Sequence, residues 1–382
     1  MYDLFVIGGG INGAGIARDA AGRNLKVLLV EKDKIGSATS SWSTKLIHGG
    51  LRYLENYDFK LVRESLKERE IIYKIAKEIV NPIPFIIPHT PTQRAAWLIK
   101  FGLFLYNNIG GKTTIPKSSS VNLQDDYPGL LKDNFTQGFK YYDLQVDDKK
   151  LVELNIIDAK NKGARILEKT NINNVRRLKD NWEIKLDNGE EIKSKIIINA
   201  SGPWINEVNK KILNNHLFKK IRLVRGSHLV LKKIYNHKAA FTLQNKDNRI
   251  LFVIPYKNEF TLIGTTEIET NNPDNLNIEN SEIKYLLECV NSYFKTRIDE
   301  SMIVSTYSGI RPLLEDFKSK VSNISRDYIF DMNDEEDKAC LINIYGGKLT
   351  TYRKLSENLI NSLKIFFPQL KNNWTSKYKL PY

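Results

Sequence analysis

Three glycines spaced Gly8-x-Gly10-x-x-Gly13, and a glutamate at position 31, are the residues whose types and spacing point most directly to chemistry. Glycines so placed serve a tight turn, a close backbone approach to a pyrophosphate, and the packing of a helix on a strand. The pyrophosphate then sits at a helix N-terminus, where free N–H groups and the dipole favour an anion. Seventeen residues separate Gly13 from Glu31, and a carboxylate at that distance can accept hydrogen bonds from both ribose hydroxyls. A lone glycine triplet of this kind is weak evidence. A strand before it, a helix after it and the acid in place make a dinucleotide site.

The elements needed to position these groups are legible. Residues 3–7 (DLFVI) are an apolar run ended by glycines, IARDAAGRN has helical character, and VLLVEK (27–32) reads as a second buried strand. Together they form a βαβ unit with a parallel pair. A helix is expected from Phe59 to about Ile79, stopped at Asn81-Pro82, and the four prolines between 82 and 91 predict an irregular stretch. Residues 147–163 read as a helix opened by Asp147 or Asp148 and closed at Gly163. A strand at ARILEK, a hairpin turning at Asp187-Asn188-Gly189, and an apolar strand IIINA (196–200) follow.

From 221 to 267 strands follow one another with no helix between them, which predicts an antiparallel sheet and a different domain. Helical character returns at 281–294, strands at 303–309 and 340–345, and a last helix at about 351–366. The expected fold is α/β: a discontinuous Rossmann-like nucleotide domain (1–80, 141–208 and 303–370) with an inserted antiparallel substrate domain (81–140 and 209–302) and a tail at 371–382.

The choice of dinucleotide falls to residues 36–55, GSATSSWSTKLIHGGLRYLE. NAD domains usually pass directly from the acidic strand to the next helix and strand. A long loop of small polar residues with paired glycines can instead follow a second cofactor half towards an isoalloxazine ring. FAD is therefore the expected cofactor.

The 382 residues suffice for two domains, and 41% hydrophobic with 27% charged residues argues against wholesale disorder. Cys289 and Cys340 offer neither metal spacing nor a disulfide framework, which fits a reducing compartment, and no metal is expected. The N-terminus lacks the pattern of a secretory signal, and no apolar window is long enough to span a bilayer. The net charge of +14 is spread over a Lys-, Asn- and Ile-rich chain. It suits an anionic membrane surface or a phosphorylated substrate, or reflects compositional drift. Without a basic cluster interleaved with aromatics, nucleic acid is not an expected partner.

IGGGINGAGIARDAAGR, TSSWSTKLIHGGLRYLE and GGKLTTYRK (346–354) resemble FAD-dependent glycerol-3-phosphate dehydrogenases, as do NASGPW (199–204), RGSHLV (225–230), FVIPY (252–256), LIGTT (262–266), YSGIRPL (307–313) and SRDY (325–328). The matches run in the family's order over nearly the whole chain. Asn24 stands where the family usually has glycine, and Ser356 where its second signature usually ends in alanine. Asn is the residue best able to replace glycine in a left-handed conformation. Bacterial members usually carry a further C-terminal helical domain that is not found before Tyr382.

The resemblance implies oxidation of sn-glycerol 3-phosphate to dihydroxyacetone phosphate, with hydride passing to FAD and electrons to a membrane quinone. It implies an amino-acid-oxidase type of flavin domain, and a cytoplasmic enzyme held peripherally at the inner face of the cell membrane. The alternatives are an oxidase passing electrons to O2 and another FAD-dependent oxidase of the same fold. A homodimer is compatible with the chain.

Carried over residue by residue, the flavin site falls on Gly8, Gly10, Asn12, Gly13, Glu31, Thr39, Ser40, Lys45, Leu46, His48, Gly49, Ala200, Gly202, Gly347, Lys348, Leu349 and Thr350. A dianionic phosphate asks for guanidinium groups. Arg52, Arg311 and Arg326 stand in family-like motifs and are the expected ligands, with Tyr53 and Lys348 beside them. Three such arginines favour phosphate over the single carboxylate of an amino-acid oxidase. Loss of a hydride from C2 requires a base for the hydroxyl proton, and histidine suits that task. His48, before the paired glycines, is the first candidate; His228 is the second and can instead orient substrate. Lys348 and Arg311 complete the catalytic set, Lys348 either stabilising negative charge on the reduced flavin or binding substrate. RAAWLIKFGLFLY (94–106), with Lys112 and Lys117 nearby, reads equally as an interfacial membrane helix or as a buried helix of the substrate domain.

Overall fold

Alternate residues of the Tyr2–Ile7 strand serve two cores: Leu4 and Val6 pack into one, Phe5 and Ile7 into another. A strand buried on both faces belongs inside a sheet. It pairs in parallel with Val27–Val30 on one side and Glu191–Asn199 on the other. The computed structural model describes residues 1–213, 219–247, 249–314, 327–335 and 338–382. Among these, the first sheet runs Tyr328–Asn333, Leu341–Gly346, Glu191–Asn199, Tyr2–Ile7, Val27–Val30, Arg165–Leu167. Along this order the pairings are parallel except at Tyr328–Asn333, while Trp182–Leu186 joins the start of Glu191–Asn199 antiparallel and pairs antiparallel with Ile172–Arg177. Helices Ile11–Gly22, Asp148–Asn161 and Tyr352–Ser362 cover one face. The strands Ile172–Arg177 and Trp182–Leu186, with helix Ile205–Leu213, cover the other.

Asn24 behaves as its chemistry suggests. The Ile11–Gly22 helix closes with Leu25 N–H on the Ala20 carbonyl at 3.1 Å and Asn24 N–H on that of Ala21 at 3.0 Å, Asn24 lying at φ 69°. This is a Schellman turn with asparagine in the position that favours glycine. Ser356 is buried, its hydroxyl donating to the Tyr352 carbonyl at 2.8 Å.

The second sheet runs Ile268–Thr270, Ile221–Lys232, Phe260–Gly264, Ile250–Tyr256, Ala240–Gln244, Val80–His89, Gln137–Val146, Leu46–Ile47. It is antiparallel except where Ala240–Gln244 meets Val80–His89 in parallel. Helix Asn280–Tyr293 packs on one face through Leu286, Leu287 and Val290. Helices Phe59–Ile75 and Ala96–Asn108 close the other through Val62, Leu66, Leu103 and Tyr106.

Three expectations are corrected. The proline-rich stretch is a regular strand, Val80–His89, paired along its length with Gln137–Val146. Pro82, Pro84 and Pro88 share one parity, so their missing donors fall on one edge, where, among the described residues, the pairing is limited to the two-residue contact with Ala240–Gln244. The preceding helix stops at Ile75 because the chain must turn before that strand. Finally, Ile303–Leu314 and Gln137–Val146, expected to lie largely or partly on the flavin side, belong to the second sheet. Ile303–Leu314 pairs from end to end with Ile221–Lys232.

Residues 371–382 are docked rather than loose. Trp374 fills the space that the missing side chain of Gly22 leaves, beneath the Arg18 guanidinium at 4.9 Å. Leu380 donates its N–H to the Ile75 carbonyl at 2.8 Å. Nearby, the buried Arg353 guanidinium is shared by Glu68 and Glu357 at 2.7 Å each.

Candidate functional site

The first turn is built by close approach. Gly8 sits at φ 106°, and a Cβ there would lie 2.7 Å from the Ala200 carbonyl oxygen; a Cβ on Gly13 would collide with the Gly8 carbonyl. The residue before helix Ile11–Gly22 is Gly10, which has no side chain to cap it, and its first turn holds no acidic residue, so no side chain of the helix itself offsets its positive end. Ser40 Oγ accepts the Ile11 N–H at 2.9 Å. Glu31 directly follows the Val27–Val30 strand and accepts the Gly9 N–H at 2.6 Å and the Asp33 N–H at 2.9 Å. Asn12 donates to the Gly346 carbonyl at 3.2 Å, while its own Oδ1 is buried without a partner.

Residues 36–50 run from this turn towards the second sheet, pinned at intervals. Thr39 Oγ1 donates to the Ile310 carbonyl at 2.9 Å. Lys45, at φ 62°, places its ammonium on both oxygens of Asp148, at 2.7 and 2.9 Å, and on the Ser41 carbonyl at 2.7 Å. Thr350 Oγ1 bridges the backbone N–H and carbonyl of His48, each at 3.2 Å, tying the loop to the turn after Leu341–Gly346. The Gly49 N–H donates to the Tyr106 hydroxyl at 2.7 Å. That hydroxyl donates to Asp143, which also holds Arg69 at 2.7 Å. Burial pushes both Tyr106 and Asp143 up from their ordinary values.

Facing this loop, the Arg311 guanidinium lies over Gly226, whose Cβ, if present, would collide with it. It donates to the Thr266 carbonyl at 3.1 Å and lies 3.6 Å from Glu267. His228 is 2% exposed, stacks on Tyr307 at 4.7 Å and lies 3.0 Å from Thr44 Oγ1 through Nε2. Burial, then the charges of Arg311 and Lys45, push its pKa down to about 3. It is therefore neutral at working pH. Lys348 sits after two left-handed glycines, its ammonium 4.0 Å from the centre of the Tyr53 ring.

One cleft of about 820 Å³ joins these pieces. Gly8, Gly10, Asn12, Glu31, Thr39, Ser40, Leu46, His48, Ala200 and Gly202 line it, as do Gly347, Lys348, Leu349 and Thr350. Arg52, Tyr53, His228 and Arg311 line it as well. Gly13, Lys45 and Gly49 do not: they pack helix on strand, hold Asp148 and meet Tyr106, respectively. Arg326 lies outside the described residues. Sequence reasoning missed Glu267, Thr44, Tyr307 and Arg249; Glu267 follows LIGTT directly and was the most findable.

The aromatic stretch 94–106 is for the most part not buried. On helix Ala96–Asn108, Trp97 is 70%, Phe101 53% and Phe104 61% exposed, while Leu103 and Tyr106 face inward. Among the described residues no helix is long and apolar enough to cross a membrane.

The glycine turn, the helix start free of acidic residues and the unpartnered Asn12 Oδ1 fit an adenine dinucleotide, and comparison with known proteins agrees. Residues 3–352 match the model of the FAD-dependent oxidoreductase family, and the chain belongs to that family. It is 44% identical to D-erythritol 1-phosphate dehydrogenase of Brucella abortus, over 99% of this chain and 77% of that one. It is equally 44% identical to the aerobic glycerol-3-phosphate dehydrogenase of Escherichia coli, over 99% of this chain and 76% of that one. The structure of glycerol-3-phosphate dehydrogenase from Bacillus halodurans complexed with FAD superposes with TM-score 0.77 at 26% identity, over 100% of this chain and 68% of that one. The cofactor is FAD, and the fold is the α/β FAD-binding fold of the amino-acid-oxidase type.

Proposed function

We propose that this FAD-dependent oxidoreductase oxidises the secondary hydroxyl of a polyol phosphate, sn-glycerol 3-phosphate before others, to the ketone dihydroxyacetone phosphate. The observation that carries this is the Arg311 guanidinium, held over Gly226 at the wall of the cleft with Arg52 and Lys348 also lining it. A dianion needs such convergence, since charged hydrogen bonds are directional and strong in a partly dry site. D-erythritol 1-phosphate is the second reading, because the relative that acts on it is as similar as the one named for glycerol 3-phosphate.

The flavin would be held by Gly8, Gly10 and Asn12 at its pyrophosphate and by Glu31 at its ribose. Bound FAD supplies the acceptor for the hydride equivalent leaving C2. Arg311 and Arg52 bind and orient the phosphate. His48, in the cleft wall, takes the proton from the C2 hydroxyl oxygen. His228 is the poorer base: with a pKa of about 3 it has little affinity for a proton near neutrality. It serves instead as a neutral, stacked group fixing the substrate's orientation. Lys348 sets a cation against the negative charge gained by the cofactor.

We infer further that electrons pass to a membrane quinone and that the protein sits peripherally on an anionic bilayer through helix Ala96–Asn108, whose exposed aromatics support this placement. Anaerobic addition of glycerol 3-phosphate should bleach the flavin absorbance. Bleaching by erythritol 1-phosphate alone would transfer the assignment to the four-carbon substrate, and bleaching by neither would refute both. Peroxide formation matching turnover in air would replace the quinone by O2.

A further inference from the structure

Behind the substrate wall of the cleft is a buried polar cluster that does not touch the nucleotide turn. Three motifs send a residue into it: Arg225 and Ser227 from residues 225–230, Thr266 from 262–266, and Ser308 from 307–313. Their shared partner is Glu282, on helix Asn280–Tyr293, which no motif marks. One Glu282 oxygen accepts from the Thr266 hydroxyl at 2.6 Å and the Ser227 hydroxyl at 2.8 Å. The other accepts from Arg225 Nη2 at 2.7 Å and the Glu279 N–H at 2.9 Å. The hydroxyls of Ser227 and Ser308 lie 2.8 Å apart. Glu282, Arg225, Ser227 and Thr266 are all at most 2% exposed.

Capping the helix requires only the bond from Glu279. The bonds to Thr266 and Ser227 reach beyond the helix into the sheet, and they fix Thr266 at both ends of its hydroxyl. Thr266 Oγ1 accepts the Ser227 N–H at 3.0 Å while donating to Glu282. With its side chain so held, the Thr266 carbonyl has one direction, and Arg311 Nη2 sits on it at 3.1 Å. Gly226, between Arg225 and Ser227, leaves the space that the guanidinium occupies.

We propose that Glu282 is a positioning residue for the substrate's phosphate: through Thr266 it sets where the Arg311 guanidinium points. This rests on Arg311 being a phosphate ligand. Burial opposes ionisation of Glu282, but the Thr266, Glu279, Ser227 and Arg225 donors hold its carboxyl below the usual range, so the acceptor persists at neutral pH.

The test uses the FAD-loaded protein and three variants: Thr266→Val, Thr266→Ser and Glu282→Gln. KM and kcat are measured on whichever polyol phosphate the wild type oxidises, together with competitive inhibition by inorganic phosphate. Thr266→Val should raise KM and the phosphate inhibition constant together, about tenfold, with kcat nearly unchanged and the flavin spectrum intact. Thr266→Ser, which keeps the hydroxyl, should restore both, and Glu282→Gln should move them in the direction of Thr266→Val. In an Arg311→Ala background, Thr266→Val should add nothing. Variants that melt earlier yet keep wild-type KM and phosphate inhibition would make Glu282 a helix anchor and overturn the proposal. If Glu282→Gln does not fold, the Val/Ser pair decides alone. A wild type indifferent to phosphate and to every polyol phosphate would instead sink the phosphate reading of Arg311, and the positioning role with it.

Discussion

At the scale of single residues, the substrate wall depends on an absence as much as on charges. Gly226→Ala would put a methyl where the Arg311 guanidinium now lies. Losing one charged hydrogen bond costs about 1.5–3 kcal/mol, so kcat/KM for the phosphate substrate should fall roughly 10- to 150-fold while FAD content stays normal. Unchanged kinetics would remove Arg311 from the phosphate site. His228 predicts a pH effect. Its folded pKa, about 3, lies below the ordinary 6.5, so the unfolded chain binds the proton first as pH falls. Its contribution to stability is complete above 6.5 and declines below it. Between pH 7 and 5.5 the loss is about 1 kcal/mol. Thermal unfolding across that range should show it in the wild type and not in His228→Gln.

At the scale of elements, the glycine turn was legible because its constraints are local: strand, turn, helix and acid fall within thirty-one residues of the N-terminus. Asn24 belongs to the same category. Asn24→Ala should destabilise by about 1–2 kcal/mol, since an alanine cannot cheaply adopt φ 69°, whereas Asn24→Gly should be close to neutral. Denaturant midpoints of the two variants check this, and equal midpoints would refute the strain argument. What stayed illegible was non-local. Nothing in YSGIRPL announces that its strand pairs with Ile221–Lys232 rather than with the flavin sheet. Glu282 carries no motif of its own, and its role emerges only when three distant stretches meet. Lys45 was placed at the cofactor by resemblance, but its ammonium is committed to Asp148. The prolines of Val80–His89 misled because the edge on which a donor is missing matters more than their number.

At the scale of the whole molecule, Trp97 and Phe104 are exposed on one helix away from the cleft, while Leu98 and Phe101 of the same helix, with Tyr57 and Phe59, are exposed along the cleft's lining. Replacing Trp97 and Phe104, which do not line the cleft, by serine should abolish sedimentation with vesicles rich in anionic lipid and leave dye-linked turnover within about twofold, since binding there scales with buried apolar area. Persistent sedimentation would place the membrane contact elsewhere. That same helix is not independent of the chemistry. Its one phenol, Tyr106, points inward and is bonded to the backbone immediately after His48. One aromatic ring thus pins the exposed helix to the loop that carries His48, so the outer surface and that wall of the cleft are fastened to each other where the two meet.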